Sequence, residues 1–450
     1  MMHELISLEQ KYKKALQEFT PTLNHYLSVI SVEITREISP ISIYLTGSFG
    51  RGEGSLYRHR TNVTPIRDFD ILVIVKRHIK GKIIDRITKR IHTRLSIDLN
   101  SKNFKLKGFI IWITQATIKD LNAFSLLKFY ELKKTSRLLF GEDIRYLINI
   151  SFKDLSKYNG ILILFGKIQG LLGLLDFDAL KKGETKKLLD FVYECLKTRT
   201  EIGTTHGILT EIYEPNFTKR CNTFYNDFHN WFPELEEFNP KLPFNVLQCS
   251  YRRLLIDDEF LESIDLSDMV AETVRDLDTA IWLYIKQAYS IDMPHILDDY
   301  NLLESYLEIL NVAVLKDLMG FYIKNKLGFT TKLLEELTAR VYLWYALLRF
   351  VISVRRAGYS INLRVLFARH KNIMMRLWLI GLLFLKSLKE DSSIDKDILQ
   401  ECVDRLCEIL DHDILREYET IRELDQKFTF LQKILVDLLE IADRVFHKKD

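Results

Sequence analysis

Apolar residues recur at helical spacing through Leu5, Leu8, Tyr12, Leu16, Phe19, Leu23, Leu27 and Ile30. This predicts one or two helices over residues 4–37, with a break at Pro21. The pattern then shortens. Residues 42–46 (SIYLT) and 69–75 (FDILVIV) are β-branched and aromatic runs of strand length. Residues 79–94 return to helical spacing. Residues 94–100 (RLSIDLN) alternate, with Leu95, Ile97 and Leu99 on one side and Ser96, Asp98 and Asn100 on the other. That alternation predicts a half-buried strand with Asp98 on its polar face. Residues 108–114 (GFIIWIT) predict a further strand, and 116–134 a helix.

The first 150 residues therefore read as mixed α/β with a small sheet. Beyond residue 150 the strand signal fades into Leu-rich helical periodicity. Prolines at 215, 233, 240 and 243 mark irregular stretches, and none follows Pro294, as expected of uninterrupted helices in a bundle. The predicted division is 1–150, 151–295 and 296–450, since 450 residues exceed one simple core.

Charge sharpens this division. Residues 1–150 carry 25 Lys and Arg against 14 Asp and Glu, while the rest carry 39 against 47. A basic front on an acidic body suits an anionic ligand, although a solvated lysine-rich surface explains the charge equally well. The five cysteines form no C-x-x-C pair, so neither a disulfide framework nor a zinc ribbon is indicated. The N-terminus lacks the apolar core of a signal peptide. The greasiest runs, interrupted by Arg349 and Lys386, fall short of the ~20 apolar residues of a membrane span. The expectation is a cytoplasmic protein with no membrane partner.

Candidate chemistry lies in residues 46–75. Gly47-Ser48 follows the first strand, where glycine permits close backbone approach and serine adds a hydroxyl. Asp68 and Asp70 open the next strand; period two places both on one face and Phe69 on the other. With Asp98 they would form an oxygen-rich pocket suited to Mg²⁺ or Mn²⁺, which take one or two carboxylates plus substrate phosphates. Asp85 is a weaker third candidate, because it lies among Lys82, Arg86 and Lys89 on a helix where a surface ion pair is the simpler explanation.

This set, Gly47-Ser48, then Asp68-Phe69-Asp70, then Asp98, resembles the motif of the nucleotidyltransferase superfamily, whose catalytic core is shared with polymerase beta. The stretch FYELKKTSRLLFGED (129–143) resembles the segment after the core in aminoglycoside- and antiviral-type members. EIYEPNFTKRCNTF (211–224) resembles a Y-x-P-x-(Y/F)-x-x-R piece of some helical domains. The likeness covers about the first 145 residues, and nothing specific is recognised over 250–450. It implies an α/β nucleotidyltransferase core followed by a large all-α region. It implies that Asp68, Asp70 and Asp98 are the catalytic metal ligands, and that Gly47, Ser48, Arg51 and Lys133 contact a nucleoside triphosphate, ATP first among them. One departure is the loop: nineteen residues, 49–67, separate Ser48 from Asp68, where the family more usually has about ten.

Arg51, Arg58, Arg60 and Arg67 give that loop cations that could neutralise a triphosphate, with a solvated loop an equal reading. Residues 76–94 carry eight cations and one anion, Asp85. No aromatic platform is interleaved, so a solvated face is favoured over a nucleic-acid track. There is no P-loop and no HExxH. Asp411-His412-Asp413 reads as surface, and Cys402 and Cys407 would point to different sides of a helix. The acceptor cannot be read from the sequence. The rival expectation is a catalytically silent nucleotide-binding or regulatory protein on the same fold.

Overall fold

The computed structural model describes residues 2–66, 68–99, 111–122, 127–291, 310, 313, 314, 316, 317, 332–361, 373–410 and 417–447. Contacts divide the chain into two compact units. One comprises Met1–Ser156, Thr210–Phe228 and Pro243–Ser263; the other comprises Lys157–Leu209, His229–Leu242 and Ile264–Asp450.

The first unit opens with α1 (Met2–Glu37), a single helix with Pro21 inside it. The predicted break at Pro21 does not occur. Residues on both sides of it, from Tyr12, Ala15 and Phe19 to Leu23, Tyr26 and Ile30, are buried in one core. Packing of a continuous apolar stripe outweighs the local cost of the proline. Then follow β1 (Ser42–Thr46), α2 (Gly47–Gly50), β2 (Leu56–His59), β3 (Asn62–Pro65), β4 (Phe69–Ile74), α3 (Gly81–Leu99), β5 (Ile111–Ala116), α4 (Ile118–Leu121), α5 (Leu127–Thr135) and β6 (Arg137–Gly141). The main sheet has the order β5-β4-β1-β6. β1 is antiparallel to both β4 and β6, whereas β4 and β5 are parallel.

Two expectations are corrected here. Residues 94–99 are the end of α3, not a strand; Leu95 and Leu99, four apart, also share a helix face, so over so short a run Ile97 alone set the strand pattern apart. The stretch 49–67 is not an open loop, because β2 and β3 form an antiparallel hairpin. That hairpin pairs in parallel, through β2, with β7 (Leu255–Asp257), from Leu56↔Leu255 to Arg58↔Asp257.

The chain leaves for the second unit with α6 (Tyr158–Leu174), α7 (Phe177–Lys181) and α8 (Leu189–Leu209), and returns with α9 (Phe217–Trp231), whose residues as far as Phe228 belong to the first unit. After α10 (Leu235–Phe238), most of α11 (Leu242–Arg252), then β7 (Leu255–Asp257) and α12 (Asp258–Ser263), complete the first unit. β7 is a strand in a region whose periodicity predicted helices only; three residues are too few to carry a period.

Among its described residues the second unit is helical apart from isolated bridges. α6, α8 and α13 (Leu266–Tyr289) pack together, joined by α14 (Lys332–Arg356), α15 (Ile373–Lys386), α16 (Lys396–Cys407) and α17 (Leu424–His447). Inside it, Arg199 pairs with Asp276 at 3.0 Å and Glu272 at 2.9 Å, and Lys167 with Glu194 at 3.3 Å. The described helices include none long and apolar enough to cross a membrane. The five cysteines are free thiols. Asp411-His412-Asp413 lies outside the described residues.

Candidate functional site

The site is built where β1 ends and β4 begins. Thr46 pairs with Asp70 across the two strands, and its hydroxyl donates to the Asp70 carbonyl at 3.0 Å. The chain then turns at Gly47, whose φ of +64° lies in the left-handed region. A Cβ at Gly47 would stand 2.1 Å from Asp70 Oδ2, so only glycine lets the Asp70 carboxylate lie against the turn. Phe69 is fully buried and meets Phe49 of α2 edge-on, with ring centroids 4.6 Å apart. That contact anchors the strand from below, while half-buried Asp70 faces the other way; Asp68, also half-buried, lies just before the strand. Ser48 is half-buried in the single turn of α2. The N–H groups of that turn have no acceptor within the helix by geometry.

β5 flanks β4 on the side away from β1. Its register sets Ile111 beside Phe69 and Trp112 beside Asp70. Ile111 is buried with the core, so Trp112, 53% exposed, and exposed Thr114 share the face of Asp70. The strand next to the carboxylates thus presents an indole and a hydroxyl. Asp98 falls within α3, and its side chain lies outside the described residues. Among the described residues no three His, Cys, Asp or Glu side chains gather as a metal cage. Mg²⁺ or Mn²⁺ arriving with a triphosphate keeps waters and needs only one or two protein carboxylates, so Asp68 and Asp70 would be the residues to hold it.

Compared with family models, curated proteins and solved structures, the chain has no match. The motif likeness therefore stands on the residues themselves.

The remaining candidates have different fates. Arg51 turns inward: its side chain is 5% exposed, 2.9 Å from Glu131 and 3.9 Å from Glu53. Its guanidinium lies 4.2 Å over the Phe217 ring. A buried cation engaged by two carboxylates is a structural tie rather than an open anion receptor. Arg58 pairs with Glu18 at 2.9 Å, and His59 with Asp258 at 2.8 Å. Arg60 is exposed in the hairpin turn with φ 53°, and Arg67 lies outside the described residues. Lys133 is half-buried on α5. On α3, Arg86, Arg90 and Arg94 are tied to Glu33 and Glu37 of α1, so part of the basic face is spent on packing two helices.

The structure also gathers a cluster that the sequence reading did not foresee. Arg51, Arg220 and Arg253 stand 4.2, 4.3 and 4.1 Å from one Phe217 ring. Glu53 is 4% exposed and accepts the Phe217 N–H at 2.8 Å and the Thr218 N–H at 3.3 Å, at the start of α9. Tyr213 donates to Glu131. Burial first, then the Glu131 carboxylate, pushes the Tyr213 phenol well up, so it remains a donor. Three guanidiniums thus face two carboxylates around a ring. The turn after Gly47, the E-L-K helix and the Y-x-P-x-F-x-x-R segment meet there. The only sequence signal was that these three pieces each stood out separately.

Proposed function

We propose that the protein is a metal-dependent nucleotidyltransferase, moving a nucleoside monophosphate from a nucleoside triphosphate to an acceptor hydroxyl with release of pyrophosphate. The observation that carries this reading is the contact of the Asp70 carboxylate with the left-handed Gly47 turn. Asp68 and Asp70 would hold Mg²⁺ or Mn²⁺, which when bound neutralises phosphate charge and polarises the reacting oxygens. Gly47 and Ser48 would hold the departing phosphates, the left-handed glycine giving close backbone approach and the serine a hydroxyl. Phe69, Phe49 and the arginine cluster keep these groups in place, so the protein's contribution is position and charge. ATP is the first donor to try, and a cytoplasmic setting accords with this reading.

The test is pyrophosphate release from each of the four ribonucleoside triphosphates with Mg²⁺ or Mn²⁺, for wild type, Asp68→Asn and Asp70→Asn. Release that needs metal and both aspartates is expected, with Asp70→Asn lowering it at least 10³-fold and leaving the melting temperature within a few degrees. Strong residual release in Asp70→Asn would exclude the metal role. A second reading, nucleotide binding without turnover, is favoured by one observation: β5 sets Trp112 beside Asp70 and carries no carboxylate. Metal-dependent nucleotide binding with no release for any acceptor would select it.

A further inference from the structure

Trp112 is the sole tryptophan of the first unit, and it stands on an edge strand of the main sheet with 53% of its surface exposed. Its neighbours along β5 are what an open sheet face requires: Ile111 turns into the core, and Thr114 is polar and exposed. A single exposed indole is ordinary on a protein surface; what sets this one apart is its register beside Asp70. In the order β5-β4-β1, the carboxylate strand lies between the Gly47-Ser48 turn on one flank and Trp112 on the other. Displacement at phosphorus is in line, so the attacking oxygen enters opposite the departing pyrophosphate. If Gly47-Ser48 holds the pyrophosphate, the acceptor enters over β5.

We propose that Trp112 binds the acceptor by stacking on a planar ring, and that the acceptor is a nucleotide, either free or at the end of a strand; this rests on the nucleotidyltransferase reading. A nucleotide combines three features that the site can use. Its base offers a flat π-face to the indole, its sugar carries the attacking hydroxyl, and its phosphate suits the basic first 150 residues, which hold 25 Lys and Arg against 14 Asp and Glu. In the proposed step the sugar hydroxyl oxygen bonds to the α-phosphorus and loses its proton to solvent. The bond from that phosphorus to the bridging oxygen breaks, and the electron pair leaves with pyrophosphate.

The test is calorimetric binding of AMP, ribose 5-phosphate and a short oligoadenylate ending in a 3′-hydroxyl. The full chain is first loaded with Mn²⁺ and a non-hydrolysable ATP analogue. AMP is expected to bind and ribose 5-phosphate not to, because it lacks the planar base. Trp112→Ala should weaken AMP roughly 5- to 150-fold, and Trp112→Phe less, with the affinity for the analogue changed under twofold. Wild-type tryptophan emission should fall on adding AMP, and this quench should vanish in Trp112→Phe, a signal that a purely structural role would not give. Tighter binding of the oligoadenylate assigns the strand end, and tighter AMP the free nucleotide. Unchanged AMP affinity in Trp112→Ala, or ribose 5-phosphate binding as tightly as AMP, overturns the proposal. So does an analogue whose own affinity drops in Trp112→Ala, since the indole would then serve the donor base. Analogue binding that ignores both metal and Asp70→Asn removes the underlying reading, and the proposal with it.

Discussion

Replacing Glu53 by alanine should cost the first unit more than any other single substitution near the site. Glu53 is buried, accepts two backbone N–H groups at the start of α9, and stands 3.9 Å from Arg51. Around the same Phe217 ring lie Arg220 and Arg253, each at most 2% exposed. Three cations against two carboxylates already leave one positive charge in excess, and Glu53→Ala would leave two. Breaking a buried pair from one side costs about 3–5 kcal/mol, because the remaining charge stays desolvated. The orphaned N–H groups add to that end of the range. For a unit of roughly 200 residues, 1 kcal/mol lowers the melting temperature by about 2–4 °C, so a fall on the order of 10 °C is expected in scanning calorimetry. Glu53→Gln keeps an acceptor but not the charge, and should lose about half as much. In a double-mutant cycle with Arg51→Met, the two losses should couple by more than about 1 kcal/mol. A Glu53→Ala chain melting within 2 °C of wild type, with additive losses, would falsify the view that this cluster holds the turn.

Two further outcomes follow from the geometry. Gly47→Ala forces a Cβ to 2.1 Å from Asp70 Oδ2 at φ +64°; it should cost about 1–2 kcal/mol in urea titration and lower pyrophosphate release at least 100-fold by displacing the carboxylate, and a fully active variant would refute the contact. In the second unit, burial holds the His206 imidazole down to about 4, with its ring 4.3 Å from Phe232. The unfolded chain therefore takes up that proton first, near pH 6.5, and stability falls as pH drops from there towards 4. Between pH 7 and 5 this amounts to about 2 kcal/mol, and His206→Gln should lose that part of the pH dependence in urea midpoints measured at the two pH values.

The sequence by itself determined the elements whose pattern is long or doubly marked. SIYLT and FDILVIV are strands because their apolar, β-branched runs fit a sheet buried on both faces. The glycine before Ser48 marks the turn its dihedral requires. Other features depended on partners distant in the chain, which no local period reports. Pro21 stays helical because a common core holds both halves of α1. Within the stretch 49–67, residues 56–65 form a hairpin because β7, some two hundred residues later, supplies its edge. Arg51, a cation in an apparently open loop, turns inward because Glu131 and Phe217 arrive from separate segments to hold it. The place of Trp112 beside Asp70 is likewise a matter of register between β4 and β5. Local periodicity fixes which way a side chain points from its own element; only packing between elements decides what it meets there, because contact energies are gained between residues whose separation along the chain carries no signal.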